Sequence, residues 1–111
     1  MKFGLVSRLT GVGGGLVGLG GFLNVLVEIK NAGRMPVFSQ YCAGWDGAIL
    51  DAHHTCASGT TRLAGLADWI LWGRWIKSPG DILIDMGQGL LVFDLAMLLL
   101  LVVVAIIRHR K

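Results

Sequence analysis

Two cysteines and two adjacent histidines are the residues of this 111-residue sequence whose types and spacing could carry chemistry. In chain order they are Cys42, His53, His54 and Cys56. Thiolate and imidazole groups bind zinc, with Asp46 or Asp51 as a fourth ligand, but the spacing includes neither C-x-x-C nor H-x3-5-H. A pair of cysteines in a loop outside the cytoplasm is the usual setting of a disulfide. We therefore predict a Cys42–Cys56 disulfide beside two solvated histidines, with a metal site as the alternative.

Three aspartates at and within the second apolar stretch are the other ionisable candidates. Asp81 is explained by helix capping, because the segment SPGD at 78–81 places serine at the N-cap, proline at the first helical position and an acid at the third. Asp85 is explained by solvation if it lies at a membrane interface. Asp94 lies about 180° around the helix from Asp85, and a carboxylate inside a membrane span costs about 2.5–3.5 kcal/mol. Asp94 is either a proton or ion site, an ion pair with a neighbouring subunit, or, if the true span is 90–107, an acid close to the interface.

The elements that must position these residues are two apolar stretches. The chain is 54% hydrophobic and 15% charged, whereas soluble domains carry about 25% charged residues. Residues 9–27 contain no charge, and 19 residues in a helix reach roughly 28 Å, close to the hydrocarbon thickness of a bilayer. A cleaved signal peptide is disfavoured by the length of this run and by the poor cleavage site after it. We predict a single-domain, all-α membrane protein with transmembrane helices at 9–29 and 79–107.

Between the two spans we predict a loop at 31–61, which holds the cysteines, and a short amphipathic helix at 62–77. Three tryptophans recur at three-residue spacing in the second segment: Trp69, Trp72 and Trp75. Indole rings prefer the headgroup layer of a membrane. The segment is therefore predicted to lie along the membrane surface, and packing of the tryptophans on a partner protein is an equal alternative.

Glycines on the first span form the other notable pattern. Four of them recur at spacings of 3, 4 and 3 residues with a fifth alongside, in the order Gly11, Gly14, Gly15, Gly18 and Gly21. Small residues on one helix face let another backbone approach closely, which drives association of membrane helices. The pattern predicts a packing groove. Its occupant is left open between the second helix, another copy, a different subunit, and a lipid tail, quinone or pigment.

The distribution of charged residues, cysteines and histidines bears on the membrane orientation and on the cofactors and partners to expect. Lysine and arginine are split five against five between the termini and the loop, so the positive-inside rule decides little. The predicted disulfide places the loop outside the cytoplasm and both termini in the cytoplasm of a bacterial inner-membrane protein. Neither span contains histidine and the chain lacks C-x-x-C-H, so no covalent or imidazole-ligated haem or chlorophyll is expected. The basic end at 108–111 suits anionic lipid headgroups, and no nucleic-acid partner is expected for so apolar a chain.

Three segments together resemble an uncharacterised family of bacterial integral membrane proteins. They are NAGRMPV at 31–37, TRLAGLAD at 61–68 and SPGD at 78–81, which match the family patterns Asn-Gly-Gly-x-Met-Pro-Val, Thr-x-Leu-x-x-Leu-x-Asp and Ser-x-Gly-Asp. Ala32 departs from the first pattern. Members are often longer, with further helices upstream, so the resemblance implies a shortened form. The family has no established activity, and the resemblance therefore implies no catalytic residue.

These observations predict a non-catalytic accessory subunit of a larger membrane complex, in partnership with other integral membrane subunits and lipids. The reason to expect a complex is that two helices with a glycine groove bury little surface by themselves. An electron-transfer assembly, respiratory or photosynthetic, is the first class to consider. The alternative is a small oligomeric transporter or proton conductor that uses Asp94 and Asp85. A metal-dependent enzyme built on the cysteine and histidine loop is a weaker third possibility.

Overall fold

The fold is a pair of long helices joined by a small structured head. A computed structural model describes residues 3–38, 41–42, 53–73 and 75–110. Helix α1 is Phe3–Lys30 and helix α2 is Pro79–Arg110. The described residues between them form four short strands, β1 at Met35–Val37, β2 at His54–Cys56, β3 at Ile70–Trp72 and β4 at Trp75–Lys77, with a 3-10 turn at Ala64–Leu66. We call the described residues between the two helices the head.

Both helices are long and apolar enough to cross a membrane. The most apolar 18-residue windows have mean hydropathies of 1.7 in α1 and 3.2 in α2. Only 17% and 6% of those windows are buried inside the protein, whereas the central helix of a soluble domain would be mostly covered. The predicted pair of long apolar helices is therefore confirmed.

Helix α2 begins at a complete capping box. The Ser78 hydroxyl accepts a hydrogen bond from the Asp81 N–H at 3.0 Å, and the Asp81 carboxylate accepts one from the Ser78 N–H at 3.1 Å. Two N–H groups that a helix start otherwise leaves unpaired are satisfied in this way. Proline at the first helical position adds a backbone torsion already suited to the helix.

The chain is mostly helical, as predicted, but the amphipathic helix predicted at 62–77 is wrong. Leu63 has φ 52° and ψ 41°, a left-handed conformation that no α-helix contains. After the 3-10 turn, β3 and β4 form an antiparallel hairpin in which Trp72 pairs directly with Trp75. Isoleucine and tryptophan favour strands, and Gly73 leaves β3 with a φ of +63°, as a tight hairpin turn requires.

The predicted loop at 31–61 also contains secondary structure. Strand β1 pairs with β2 in parallel, with Val37 opposite Cys56, and an isolated parallel bridge joins Val37 to Asp68 on the other side. Two small apolar clusters lie on these strands. Val27, Met35 and Ala67 form the first, and Val37, Cys42 and Cys56 form the second. Because Val27 belongs to α1, the first cluster connects the head to the helix pair.

Candidate functional site

The two helices touch through glycines. Gly13 and Gly20 of α1 are seven residues apart, and so are Gly80 and Gly87 of α2. A Cβ atom added at Gly87 would lie 2.5 Å from the Gly13 carbonyl oxygen, and one added at Gly13 would lie 3.0 Å from that of Gly87. At the other end of the contact a Cβ on Gly20 would overlap the Gly80 carbonyl. The backbones therefore approach as closely as small residues allow, in an antiparallel arrangement.

The five glycines predicted to form the groove lie elsewhere on α1. Gly11, Gly15 and Gly18 are about 140–200° around the helix from Gly13. Among the residues that the structure describes, no atom comes within 4 Å of a Cβ built on any of the five, which are Gly11, Gly14, Gly15, Gly18 and Gly21. Helix α2 is thus not the occupant of this surface, which we call the open glycine face. The sequence reasoning missed Gly13 and Gly20; their seven-residue spacing, repeated at Gly80 and Gly87, was the available signal.

The two acids predicted to act together are in different environments. Asp94 is 6% exposed and accepts a hydrogen bond from the Thr10 hydroxyl of α1. Its other carboxyl oxygen is buried and has no hydrogen-bond partner in the described part of the chain. Asp85 is exposed and forms an ion pair with Lys77. The structure therefore assigns Asp94 to the helix contact and Asp85 to the surface beside the head.

An amide network closes the helix contact at the head end. The Asn24 side-chain amide donates to the Asp81 carboxylate at 2.8 Å, and its carbonyl oxygen accepts from the Ser78 hydroxyl at 2.6 Å. Asn24 therefore joins α1 to the capping box of α2. Ser78 is fully buried, so the bond to Asn24 pairs a hydroxyl hydrogen whose burial without an acceptor would cost free energy.

Asp68 is a buried acid that sequence reasoning passed over except as part of the family pattern. Its N–H donates to the Pro36 carbonyl at 2.9 Å and its carbonyl accepts from the Phe38 N–H at 3.0 Å, which holds the residue beside β1. The side chain is 7% exposed. One carboxyl oxygen lies 3.6 Å from His54 Nε2, and the other has no hydrogen-bond partner among the described residues.

The environment of Asp68 raises the pKa of its carboxyl from 3.8 to about 6. Burial is the largest cause, because it disfavours the charged form. The nearby carboxyl groups of Asp81 and Glu28 raise the pKa further, whereas His54 lowers it. A buried acid with a displaced pKa is costly to keep, so it is a candidate functional group.

Cys42 and Cys56 lie at disulfide distance, with their Cα atoms 6.0 Å apart. This spacing is typical of disulfides, and a disulfide would leave no thiolate for the alternative zinc site. Within residues 3–38, 41–42, 53–73 and 75–110 there is no group of three or more metal-binding side chains. Asp46 and Asp51, the proposed fourth ligands, lie outside the described residues.

The three tryptophans all lie at the surface, but not on one helical face. Trp72 and Trp75 are 61% and 64% exposed at the turn of the hairpin. Trp69, at its base, is 41% exposed and packs against Phe38 with ring centroids 6.3 Å apart. Their place in the headgroup layer stays a prediction, now for a hairpin and not for a helix.

These features define a class of protein: a helical hairpin, long and apolar enough to cross a membrane, with a small mixed head at one end. Residues 3–93 match DUF5317, a family of unknown function, and the chain belongs to this family. The expected membership of an uncharacterised family is thereby confirmed. The matched region includes Asp68 and the four contact glycines and ends one residue before Asp94. No curated protein and no solved structure gives a significant match.

Proposed function

We propose that the protein is a non-catalytic subunit of a larger membrane complex, which packs against a neighbouring membrane subunit through the open glycine face of α1. The observation that carries this proposal is the presence of glycines on two sides of one helix. One side is closed by α2, and the other has open space beside every Cβ position among the described residues. Each glycine in a helix costs roughly 1 kcal/mol relative to alanine in water. A second face of glycines is therefore best explained by a second backbone that packs closely against it.

The rest of the surface supports a membrane setting for this contact. Large apolar side chains are exposed along both helices, including Val12 at 55% and Val92 at 69%. Contiguous apolar surface of this kind is unfavourable in water. We place the protein in a bacterial inner membrane, with both termini in the cytoplasm and the head outside, where a Cys42–Cys56 disulfide forms. Reporter fusions at the C-terminus test this orientation, and an active extracytoplasmic reporter at that end would contradict it.

An electron-transfer assembly is the class of complex to test first, because flat quinones and pigments, like helices, fit a face that lacks side chains. The complex purified in mild detergent through a tag on this chain should then carry a subunit with a redox or pigment absorbance. A complex that retains its protein subunits but has no such absorbance would remove this class and leave the packing role standing.

Bulky residues on the open glycine face are expected to release the neighbouring subunit. We predict that the double variant Gly11→Leu/Gly15→Leu loses at least about tenfold of its co-purifying subunit, because two leucines keep the partner backbone at a distance. The α1–α2 contact should survive, since α2 does not reach this face. The measurement is quantitative mass spectrometry after purification in mild detergent.

The matched control is Val12→Phe, which adds bulk on α1 outside the open glycine face. Val12 is 55% exposed, and its replacement should leave the complex intact. Equal retention of every subunit by wild type, control and double variant would disprove the packing role.

A second candidate function, proton conduction, is favoured by the unpartnered carboxyl oxygen of Asp94. Asp94 is 15 residues beyond the start of α2 at Pro79, roughly 22 Å along the helix. Buried ionisable groups within a span are often functional. Against this, the other oxygen of Asp94 holds Thr10 and so has a structural use.

We predict that Asp94→Asn leaves proton flux unchanged, because the asparagine oxygen still accepts the Thr10 hydroxyl and a packing subunit conducts nothing. The measurement is the decay of an imposed pH gradient in liposomes that contain wild type, Asp94→Asn or the surface control Asp85→Asn. Conduction by wild type that is lost only in Asp94→Asn would establish the transporter and overturn the packing role.

A further inference from the structure

Asp68 lies where the head meets the two helices, close to the 3-10 turn that contacts both of them. Its backbone is hydrogen-bonded to Pro36 of β1 and to Phe38, the residue after β1, and its side chain faces His54 of β2. Glu28 of α1 and Asp81 of α2 act on it electrostatically from the two helix ends. The neighbouring residue, Ala67, is fully buried against Val27 of α1. The charge state of one side chain therefore bears on the contacts that connect the head to the helix pair.

An ionised Asp68 is poorly accommodated in this position. Within the described residues, one of its buried oxygens has no hydrogen-bond donor, and unpaired buried charge is strongly unfavourable. Two further acids, Asp81 and Glu28, oppose a negative charge, whereas His54, which favours it, is 3.6 Å away and itself half-exposed. Burial with a proton removes both the repulsion and most of the desolvation cost.

We propose that Asp68 is a proton-binding site that couples the head to the helix pair: the head closes on the helices when the carboxyl takes up a proton and loosens when the proton is released. The ligand is a proton from the compartment that the head faces. No neighbouring subunit is needed, because every group involved belongs to this chain. The inference therefore goes beyond the packing role and does not depend on it.

The direction of the effect follows from the pKa of Asp68 in the two states. In the closed head the pKa is about 6, compared with 3.8 for an ordinary exposed aspartate. Below pH 4 the carboxyl is protonated in both states and closure is strongest. Between about pH 4 and 6 the open state releases its proton first, so closure weakens steadily. Above pH 6 both states are ionised, so the stabilisation of the closed head by proton binding is completely lost and no longer changes with pH.

Hydrogen exchange of the full chain in lipid nanodiscs tests the proposal. The reporters are the Asp68 and Phe38 amides, which bond to Pro36 and Asp68 within the head, and the Arg62 amide. The Arg62 amide bonds to the side chain of Asn31, which in turn donates to the Val27 carbonyl of α1, so it reports the contact of the head with the helix pair. From pH 4 to pH 7.5 their protection, corrected for intrinsic exchange rates, is expected to fall between tenfold and a hundredfold. This range follows because each unit of difference between the two pKa values changes the closing equilibrium about tenfold. Amides in the middle of α1 should change little and serve as the internal reference.

Two variants separate the Asp68 carboxyl from a general effect of acid. Asp68→Asn has nearly the same shape but no titrating group, and we expect its reporter protection to vary less than twofold across this range. The control Asp85→Asn removes an exposed acid that pairs with Lys77 and should retain the wild-type profile.

A flat wild-type profile, or an Asp68→Asn profile that still falls tenfold or more, would overturn the proposal. If Asp68→Asn fails to fold, the His54→Gln variant decides instead. His54 lowers the pKa of Asp68, so its removal must shift the midpoint of the transition to higher pH. An unmoved midpoint would contradict the role of Asp68. All of these measurements use the isolated chain, so loss of a partner subunit cannot imitate either result.

Discussion

Gly87→Ala is expected to force α1 and α2 apart. The new methyl group would lie 2.5 Å from the Gly13 carbonyl oxygen and 2.7 Å from a Val17 methyl group, far inside normal contact distances. The first of these atoms is backbone, so no side-chain rotation relieves the overlap. We expect a net loss of about 2–3 kcal/mol in the free energy of unfolding in detergent micelles, since overpacking costs typically 1–3 kcal/mol and a backbone overlap lies at the upper end.

Gly15→Ala is the matched control, because it makes the same chemical change on the same pair of helices. Among the described residues nothing lies within 4 Å of the added methyl. Alanine is the better helix former by roughly 1 kcal/mol, so this variant should be as stable as wild type or slightly more stable. The free energy of unfolding, measured by titration with a denaturing detergent, checks both variants. Equal stability of Gly87→Ala and wild type would show that the glycine contact between α1 and α2 is not formed.

Reduction of Cys42–Cys56 is expected to destabilise the head by about 3 kcal/mol, since the bond closes a loop of about 15 residues. The β1–β2 pair that it secures has only three residues in each strand. The Met35 amide, 2.7 Å from the His53 carbonyl oxygen, and the Ala57 amide, 2.7 Å from the Val37 carbonyl oxygen, flank this pair and should lose protection from hydrogen exchange. The helix amides of α1 should not change.

The same change can be made without a reductant in the double variant Cys42→Ser/Cys56→Ser, which should show the same loss of protection. Maleimide labelling followed by intact-mass measurement supplies the second observation. Protein extracted without reductant should take up no label, and reduced protein should take up two. Two labels before reduction would refute the disulfide, and with it the argument that the head lies outside the cytoplasm.

The long helices were predictable from the sequence because their signal is local and repeated many times. The uncharged run at 9–27 and the apolar run at 82–107 each exceed what a soluble helix contains. The start of α2 was equally clear, because serine, proline and an acid at fixed offsets satisfy the unpaired N–H groups of a first turn. The cysteine pair was predictable for a simpler reason, namely that the chain contains two cysteines and both are in one loop.

The tryptophan segment was mispredicted because three-residue spacing over so short a stretch fits more than one conformation. Trp72 and Trp75 are neighbours on one face of a helix and are also cross-strand partners in a hairpin with a two-residue connection. Periodicity therefore does not distinguish a helix from a hairpin in this segment. The positive φ values of Leu63 and Gly73 do, and they are properties of the folded chain.

The sequence by itself determined that two apolar helices flank a cysteine-containing segment, because hydrophobicity, helix caps and residue counts act within a few residues of one another. Only the tertiary structure decided which glycines touch the partner helix, since Gly13 and Gly11 differ solely in the side of α1 on which they lie. It also decided that Asp68 is a buried acid. That burial is produced by α1, α2 and two strands which converge from across the chain, and no local pattern of residues encodes their convergence.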